Sequence, residues 1–236
     1  MPTPYSYVVQ TSVFERHLEL FTRLRSTGQL LPEITFDDGH VSDLTEALPV
    51  LDRYGAKADF FITVGWTGER AGYMNWAELR ELHAAGQRIG AHGWTHTLLT
   101  HCTPQQLDHE LRGARLALED GLSAAVTTMS LPGGRANGRV LEAAREAGYR
   151  HIFTSQPKAE PSEPGPTVGR LNVRGDMTTD WLARLFDPGS GILAALERQD
   201  RVKQTAKRLL GDRIYAQLWA VLNRHSAESS PAEALE

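Results

Sequence analysis

The stretch EITFDDGH, Glu33 to His40, carries a β-rich run into two adjacent aspartates and a glycine. EITF reads as a strand, which puts the aspartate pair at its end. Asp37 and Asp38 repel one another, and where both are partly buried one has to be neutral, hydrogen-bonded or paired with a cation. A metal ion is the cation this arrangement favours.

Further along, ADFFITV, RIGAH, VTTMSL, HIFTS and GRLNV continue the series of short strand-like runs, separated by segments of helical periodicity. Asn75 and Glu78 form a capping-box pattern opening a helix that runs to about Ala85 and closes at Gly86. Thr103, Pro104 and Gln106 open a second helix that Gly121 can end, and a third runs from about Arg139 to Ala147, stopping at Gly148. Alternating strands and helices predict parallel strands joined by right-handed crossovers, in an open sheet or a barrel. The proline-rich segment from residue 155 to 169 reads as a long surface loop, either a connector or a lid.

The chain has 236 residues, enough for one α/β domain with a helical appendage. A formal net charge of −4 gives no electrostatic reason to expect nucleic-acid binding. With Cys102 as its single cysteine, the chain has neither an internal disulfide nor a cysteine-rich zinc site, so a metal has to use His, Asp or Glu. No basic start followed by a long apolar run is present, and no uncharged stretch is long enough to span a bilayer, which predicts a soluble, cytoplasmic protein.

After the strand RIGAH comes HGWTH, with His92 and His96 four residues apart and Gly93 marking a strand end that turns into a loop. Two imidazoles and an aspartate from another strand end make a two-histidine, one-carboxylate site suited to Zn²⁺ or another first-row divalent ion. Each motif alone has a plainer reading: DDG is common at turns, and histidines near loops are often surface residues.

TFDDGH, then HGWTH, then LPGG, in this order and each after a predicted strand, resembles the polysaccharide deacetylase family, also called the NodB-homology or carbohydrate esterase family 4 group. The resemblance covers roughly residues 30 to 175 and includes the context DRYGAKADFFIT. It implies an α/β fold, a deformed (β/α) barrel, taken over residues 1–179; from about Asp180 onward the pattern itself changes to helix without strands, which reads as a C-terminal helical extension over 180–236 that packs on the barrel. It also implies removal of acetyl groups from N-acetylated sugars with a divalent metal, Zn first and Co, Ni or Mn as alternatives. Carried over by residue, Asp38, His92 and His96 are the metal ligands and Asp37 the general base. The chemistry is coherent: a cation lowers the pKa of its water and polarises the acetamide carbonyl, while a neighbouring carboxylate takes the proton.

Two departures stand out. The family places an arginine two residues before the proline of its third motif, where this chain has Ser130. Arg135, Arg170 or Arg174 could supply the missing charge, and Arg170 is favoured; an ordinary salt bridge is its other reading. The family's late Leu-x-His segment, whose histidine protonates the leaving amine, is also missing, since only His225 follows GRLNV. Asp37 shuttling a proton, His101 or His151 as the acid, or a protein that binds metal and sugar with little turnover are the three accounts left open. The last of these and O-deacetylation at the same site are the rival functions.

For substrate contacts, Pro132, Gly133 and Gly134 line the groove or form a plain tight turn. Trp94, between the two histidines, is the first candidate to stack on a sugar, with Trp66 and Trp76 read as core. His40 is read as a bystander. In the tail, Ile214, Leu218, Val221 and Leu222 form an apolar stripe among basic residues from Arg198 to Arg224, a face that could meet a membrane surface or a biosynthetic complex.

Overall fold

The run ahead of the paired aspartates is strand β1 (Ile34–Asp38) in the computed structural model, which describes residues 7–26, 32–158, 165–203 and 205. Five more strands follow: β2 (Ala58–Ile62), β3 (Arg88–Ala91), β4 (Thr128–Ser130), β5 (His151–Phe153) and β6 (Thr167–Val168). All pair in parallel and lie side by side in chain order. The helices are α1 (Thr11–Ser26), α2 (Leu48–Arg53), α3 (Trp76–Ala84), α4 (Pro104–Asp108), α5 (Ala114–Leu122), α6 (Gly138–Glu146) and α7 (Thr179–Leu185). Strand order without a reversal leaves no switch point of the doubly wound kind; crossovers of one hand curl the sheet into a deformed (β/α) barrel.

The capping signals act where the sequence placed them. Asn75 accepts from the N–H groups of Ala77 and Glu78 while Glu78 accepts from Asn75 N–H, and Thr103 with Gln106 closes a second capping box. The helix begun at Pro104 runs on into α5 through a π-helical turn, His109–Gly113.

Alternation along β2 divides its side chains between two layers. Phe60 and Ile62 face the helices, in one core with Leu79, Leu82, Leu111 and Leu118. Phe61 faces into the curl with Phe153 and Val168, its ring 4.9 Å from that of Phe153. In register, Phe36 lies beside Phe60, with rings stacked at 4.8 Å, so Asp37 lies beside Phe61 and faces the interior of the curl.

Two parts of the architecture differ from the sequence reading. GRLNV was expected to be the last strand, but β6 is the two residues before it, Thr167 and Val168, inside the segment read as surface loop. Two backbone bonds decide the register, Ile152 N–H to Pro166 O and Thr154 N–H to Val168 O, and the chain then leaves the sheet as Arg170 turns inward. The second is α1, which had no counterpart in that reading. Its Phe14 meets Phe36 edge-on at 5.6 Å, and its Phe21 meets Phe186, just after α7, at 5.6 Å.

Residue 180, where the helical extension was expected to begin, falls in the first turn of α7, and helix continues over 192–203. The stripe from Ile214 to Leu222, and His225, lie outside the described residues. No helix among the described residues is long and apolar enough to cross a membrane.

Candidate metal and catalytic centre

The C-terminal ends of the strands converge on one site, as expected for a parallel barrel. At the end of β1, Asp38 and Gly39 both take left-handed backbone, with φ of 78° and 84°. A Cβ on Gly39 would come 3.0 Å from Ile62 Cδ1, so the DDG turn needs its glycine for space as well as for φ. At the end of β3, His92 is buried, and its N–H donates to Ile62 O.

Asp38 Oδ1 lies 3.5 Å from His92 Nε2 and 3.3 Å from His96 Nε2, and the three donor atoms form a cluster within 4.8 Å. His92 Nδ1 lies 2.9 Å from the Ser130 carbonyl, to which it donates, so that in the neutral ring Nε2 carries the lone pair. Burial, together with His92, holds the His96 imidazole below the ordinary histidine value in spite of Asp38, which favours the neutral ring. The buried Asp38 Oδ1 has no hydrogen-bond partner among the described residues. An acceptor oxygen facing two acceptor nitrogens is satisfied by a cation between them, so these residues fit a divalent metal.

Beside this cluster, Asp37 is gripped by a guanidinium. Arg170 Nη1 donates to Asp37 Oδ1 at 2.7 Å and Nη2 to Oδ2 at 2.8 Å, a bidentate pair. Arg170 also donates to Thr35 Oγ1 at 2.9 Å, Ser130 Oγ at 2.6 Å and Thr154 O at 3.3 Å, and its guanidinium sits over Phe61 at 5.5 Å. Burial alone would raise the Asp37 carboxyl; His92, Arg170 and the hydrogen bonds from Arg170 and Ser130 overcome it and pull it down to about 2.

Ser130 stands where the family's arginine was expected, and it is fully buried. Its hydroxyl accepts from Arg170 and donates to Asp37 Oδ2 at 3.1 Å while its carbonyl orients His92, so one residue touches both halves of the site. In sequence it showed only as a missing arginine. Asp43, also unremarked there, is buried in the π-helical turn Asp43–Ala47; burial, with Asp38 and Asp37 nearby, pushes its carboxyl well above the usual range.

Other candidates fall elsewhere. Trp94, expected to face a sugar, is turned toward the core: its ring lies 4.5 Å from His109 and packs against the buried apolar cluster, because the loop backbone at Trp94 is tied down on both sides, by Gly65 N–H and by Glu110. Trp66, expected in the core, is half-buried with its ring 5.2 Å from that of His96, and Arg70 covers it at 4.3 Å. Trp76 packs on Gly121 between α3 and α5.

Pro132, Gly133 and Gly134 form a tight turn after β4 with φ of 62° at Gly133 and 64° at Gly134. The close neighbours these glycines accommodate are Leu98 and Ser155. His151 starts β5, paired with Thr128, and His101 lines a cavity of about 300 Å³ with Thr95, Thr97, Gln106 and His109. Neither belongs to the cluster of donor atoms around Asp38. His40 is exposed and shares its Nδ1 with Ser42 at 2.8 Å. Arg174 pairs with Asp176.

Known proteins resemble this chain in sequence and in fold. The family model described as polysaccharide deacetylase matches residues 26–152. YxkH of Bacillus subtilis is 32% identical over 132 residues, covering 56% of this chain and 47% of that protein. The peptidoglycan-N-acetylglucosamine deacetylase PgdA of Listeria monocytogenes is 33% identical over 110 residues, covering 46% of this chain and 22% of that one. The chain therefore matches about half or less of the length of these relatives. Among solved structures, the Streptococcus pyogenes deacetylase PplD in complex with acetate superposes with a TM-score of 0.65 at 21% identity, over 76% of this chain and 88% of that one, a likeness of fold.

Proposed function

Because the chain belongs to the polysaccharide deacetylase family, we propose that it hydrolyses the acetamide of N-acetylated sugars, with Asp38, His92 and His96 holding a divalent metal ion and Asp37 as general base. The observation that carries this reading is the pairing of an O,N,N cluster, whose Asp38 oxygen has no hydrogen-bond partner among the described residues, with an adjacent carboxylate whose two oxygens are clamped by Arg170. A divalent ion bound there supplies Lewis-acid chemistry, activating water and polarising the acetamide carbonyl.

The chain's own residues account for the proton. Asp37, ionised at neutral pH, accepts a proton from the attacking water; Arg170 and Ser130 fix which lone pair it presents. The proton then passes from the Asp37 carboxyl to the departing amine, which is more basic than a carboxylate. The acetamide C–N bond breaks to give acetic acid and the free amine, which become acetate and ammonium when the acid's proton passes to the amine, and one carboxylate serves both steps without a late histidine. The half-buried Trp66 beside His96 offers an apolar wall for the sugar. Zinc is the first ion to test, and the peptidoglycan substrate in the name of PgdA gives the first glycan. In this reading the basic residues of the chain from Arg198 onward meet a membrane surface or a biosynthetic complex.

The test is acetate release from N-acetylated glycans by chelator-treated protein, with and without added Zn²⁺, Co²⁺ or Ni²⁺. Metal-dependent release, falling by about 10²–10⁴-fold in Asp37→Asn and lost in His92→Ala, is the expected result. Tight metal binding with no release from any substrate would move the reading to a metal- and sugar-binding protein, and faster release from O-acetylated than N-acetylated sugars would move it to an O-deacetylase.

A further inference from the structure

The loop between His92 and His96 is held by a residue that touches neither histidine. Glu110 is 3% exposed and lies in the π-helical turn His109–Gly113 between α4 and α5. A π-turn inserts one residue into the helical register and so re-aims the side chains it carries. Here Glu110 Oε2 accepts from Trp94 N–H at 2.7 Å and from Thr95 N–H at 3.0 Å, while Oε1 accepts from the Thr95 hydroxyl at 2.6 Å. Two consecutive amides and a hydroxyl on one carboxylate leave that part of the loop little rotational freedom, and charge-assisted bonds of this kind are strong.

The backbone on either side shows what the grip maintains. Gly93 has φ of 77°, and a Cβ there would stand 2.9 Å from Glu110 Oε2. His96 has φ of 63°, a left-handed conformation that is strained for an L-residue and persists only where its surroundings impose it. That conformation leaves His96 Nε2 3.3 Å from Asp38 Oδ1, with His92 Nε2 at 3.5 Å from the same oxygen.

We propose that Glu110 is a positioning residue for the metal centre, fixing the Trp94–Thr95 backbone so that His96 joins His92 and Asp38 around one ion. The proposal rests on the reading of those three residues as metal ligands. It makes metal affinity, apart from any catalytic step, the quantity that Glu110 controls.

Dissociation constants for Zn²⁺ and Co²⁺ from chelator competition, with the visible absorption of the Co²⁺ form, test it. Glu110→Ala is expected to weaken binding by about 10–100-fold, the range for residues that orient metal ligands, and to alter the Co²⁺ band. Glu110→Gln, whose amide oxygen keeps both backbone bonds, is expected to stay within a few-fold of wild type. Glu110→Asp, a methylene short of the loop, is expected to lose about tenfold and decides the matter where Glu110→Ala does not fold. Folded Ala or Asp variants that bind both ions like wild type, with an unchanged Co²⁺ band, would overturn the proposal whatever their melting temperatures. A wild-type chain that binds neither ion would overturn the metal-site reading and this proposal together.

Discussion

Arg170, two residues beyond β6, takes both carboxylate oxygens of Asp37 on β1, at 2.7 and 2.8 Å. The first and last strands do not pair among the described residues, so this side-chain contact spans the open edge of the barrel where a backbone ladder would close it. Arg170 thus bonds β1 at both Thr35 and Asp37 across that edge, and the same contact orients the base.

Arg170→Lys should therefore behave as a severe substitution. A lysine carries the charge but cannot present two parallel donors to Asp37 while bonding Thr35 and Ser130. The expected outcome is a fall of about 10²-fold in kcat for acetate release, the scale of a misplaced reacting group, with Zn²⁺ affinity close to wild type. Steady-state kinetics beside a chelator titration check it; an unchanged kcat would mean Asp37 needs no such clamp.

Ser130→Ala separates the two duties of that residue. The hydroxyl serves Asp37 and Arg170, whereas the carbonyl that orients His92 survives the substitution. Loss of about one hydrogen bond to a charged group predicts a drop in kcat of roughly tenfold or more and no change in metal affinity. Weaker Zn²⁺ binding in this variant would show that the hydroxyl network reaches the ligands.

How much of this was legible in the chain depends on how far apart its parts lie. Asp37 with Asp38, and His92 with His96, are neighbours or four residues apart, so their convergence needed only strand ends on one edge of a parallel sheet. Arg170 stood out as a charge seeking a partner, yet GRLNV looked like a strand because its pairing is a tertiary matter: the inward turn of Arg170 ends the ladder at Val168. Ser130 and Glu110 act through bonds to residues 93 and 15 to 16 positions away, and no local pattern encodes those. The apolar spacing of Phe14, Leu18 and Phe21 on α1 was available as a helix signal, but it gained meaning only once Phe36 and Phe186 supplied its partners.

The exchange of roles between two tryptophans is testable in the same assay. Trp66 lies against His96 and Trp94 against His109, so Trp66→Ala should raise KM about five- to tenfold, the worth of one aromatic contact, while Trp94→Phe leaves KM within twofold and lowers Tm. The opposite pattern would return the sugar-facing role to Trp94.

The turn after β4 separates a packing role from a substrate role. At Gly134, φ is 64° and an added Cβ would stand 2.3 Å from Ser155 Oγ and 2.7 Å from the Ser155 backbone nitrogen. Left-handed backbone costs an alanine about 1–2 kcal/mol and the overlap about 1–3 more, so Gly134→Ala should destabilise the protein by roughly 2–5 kcal/mol. Gly133 has a similar φ, but its close neighbour is the movable end of Leu98, at 2.8 Å, and Gly133→Ala should cost about 1–2 kcal/mol. Denaturant unfolding measures both. Because Gly133 is the exposed one of the pair, a substrate contact from this turn would show as a raised KM in Gly133→Ala beyond its loss of stability. An unchanged KM in the folded Gly133→Ala protein would confine Pro132, Gly133 and Gly134 to shaping the turn that carries Ser130 into the site.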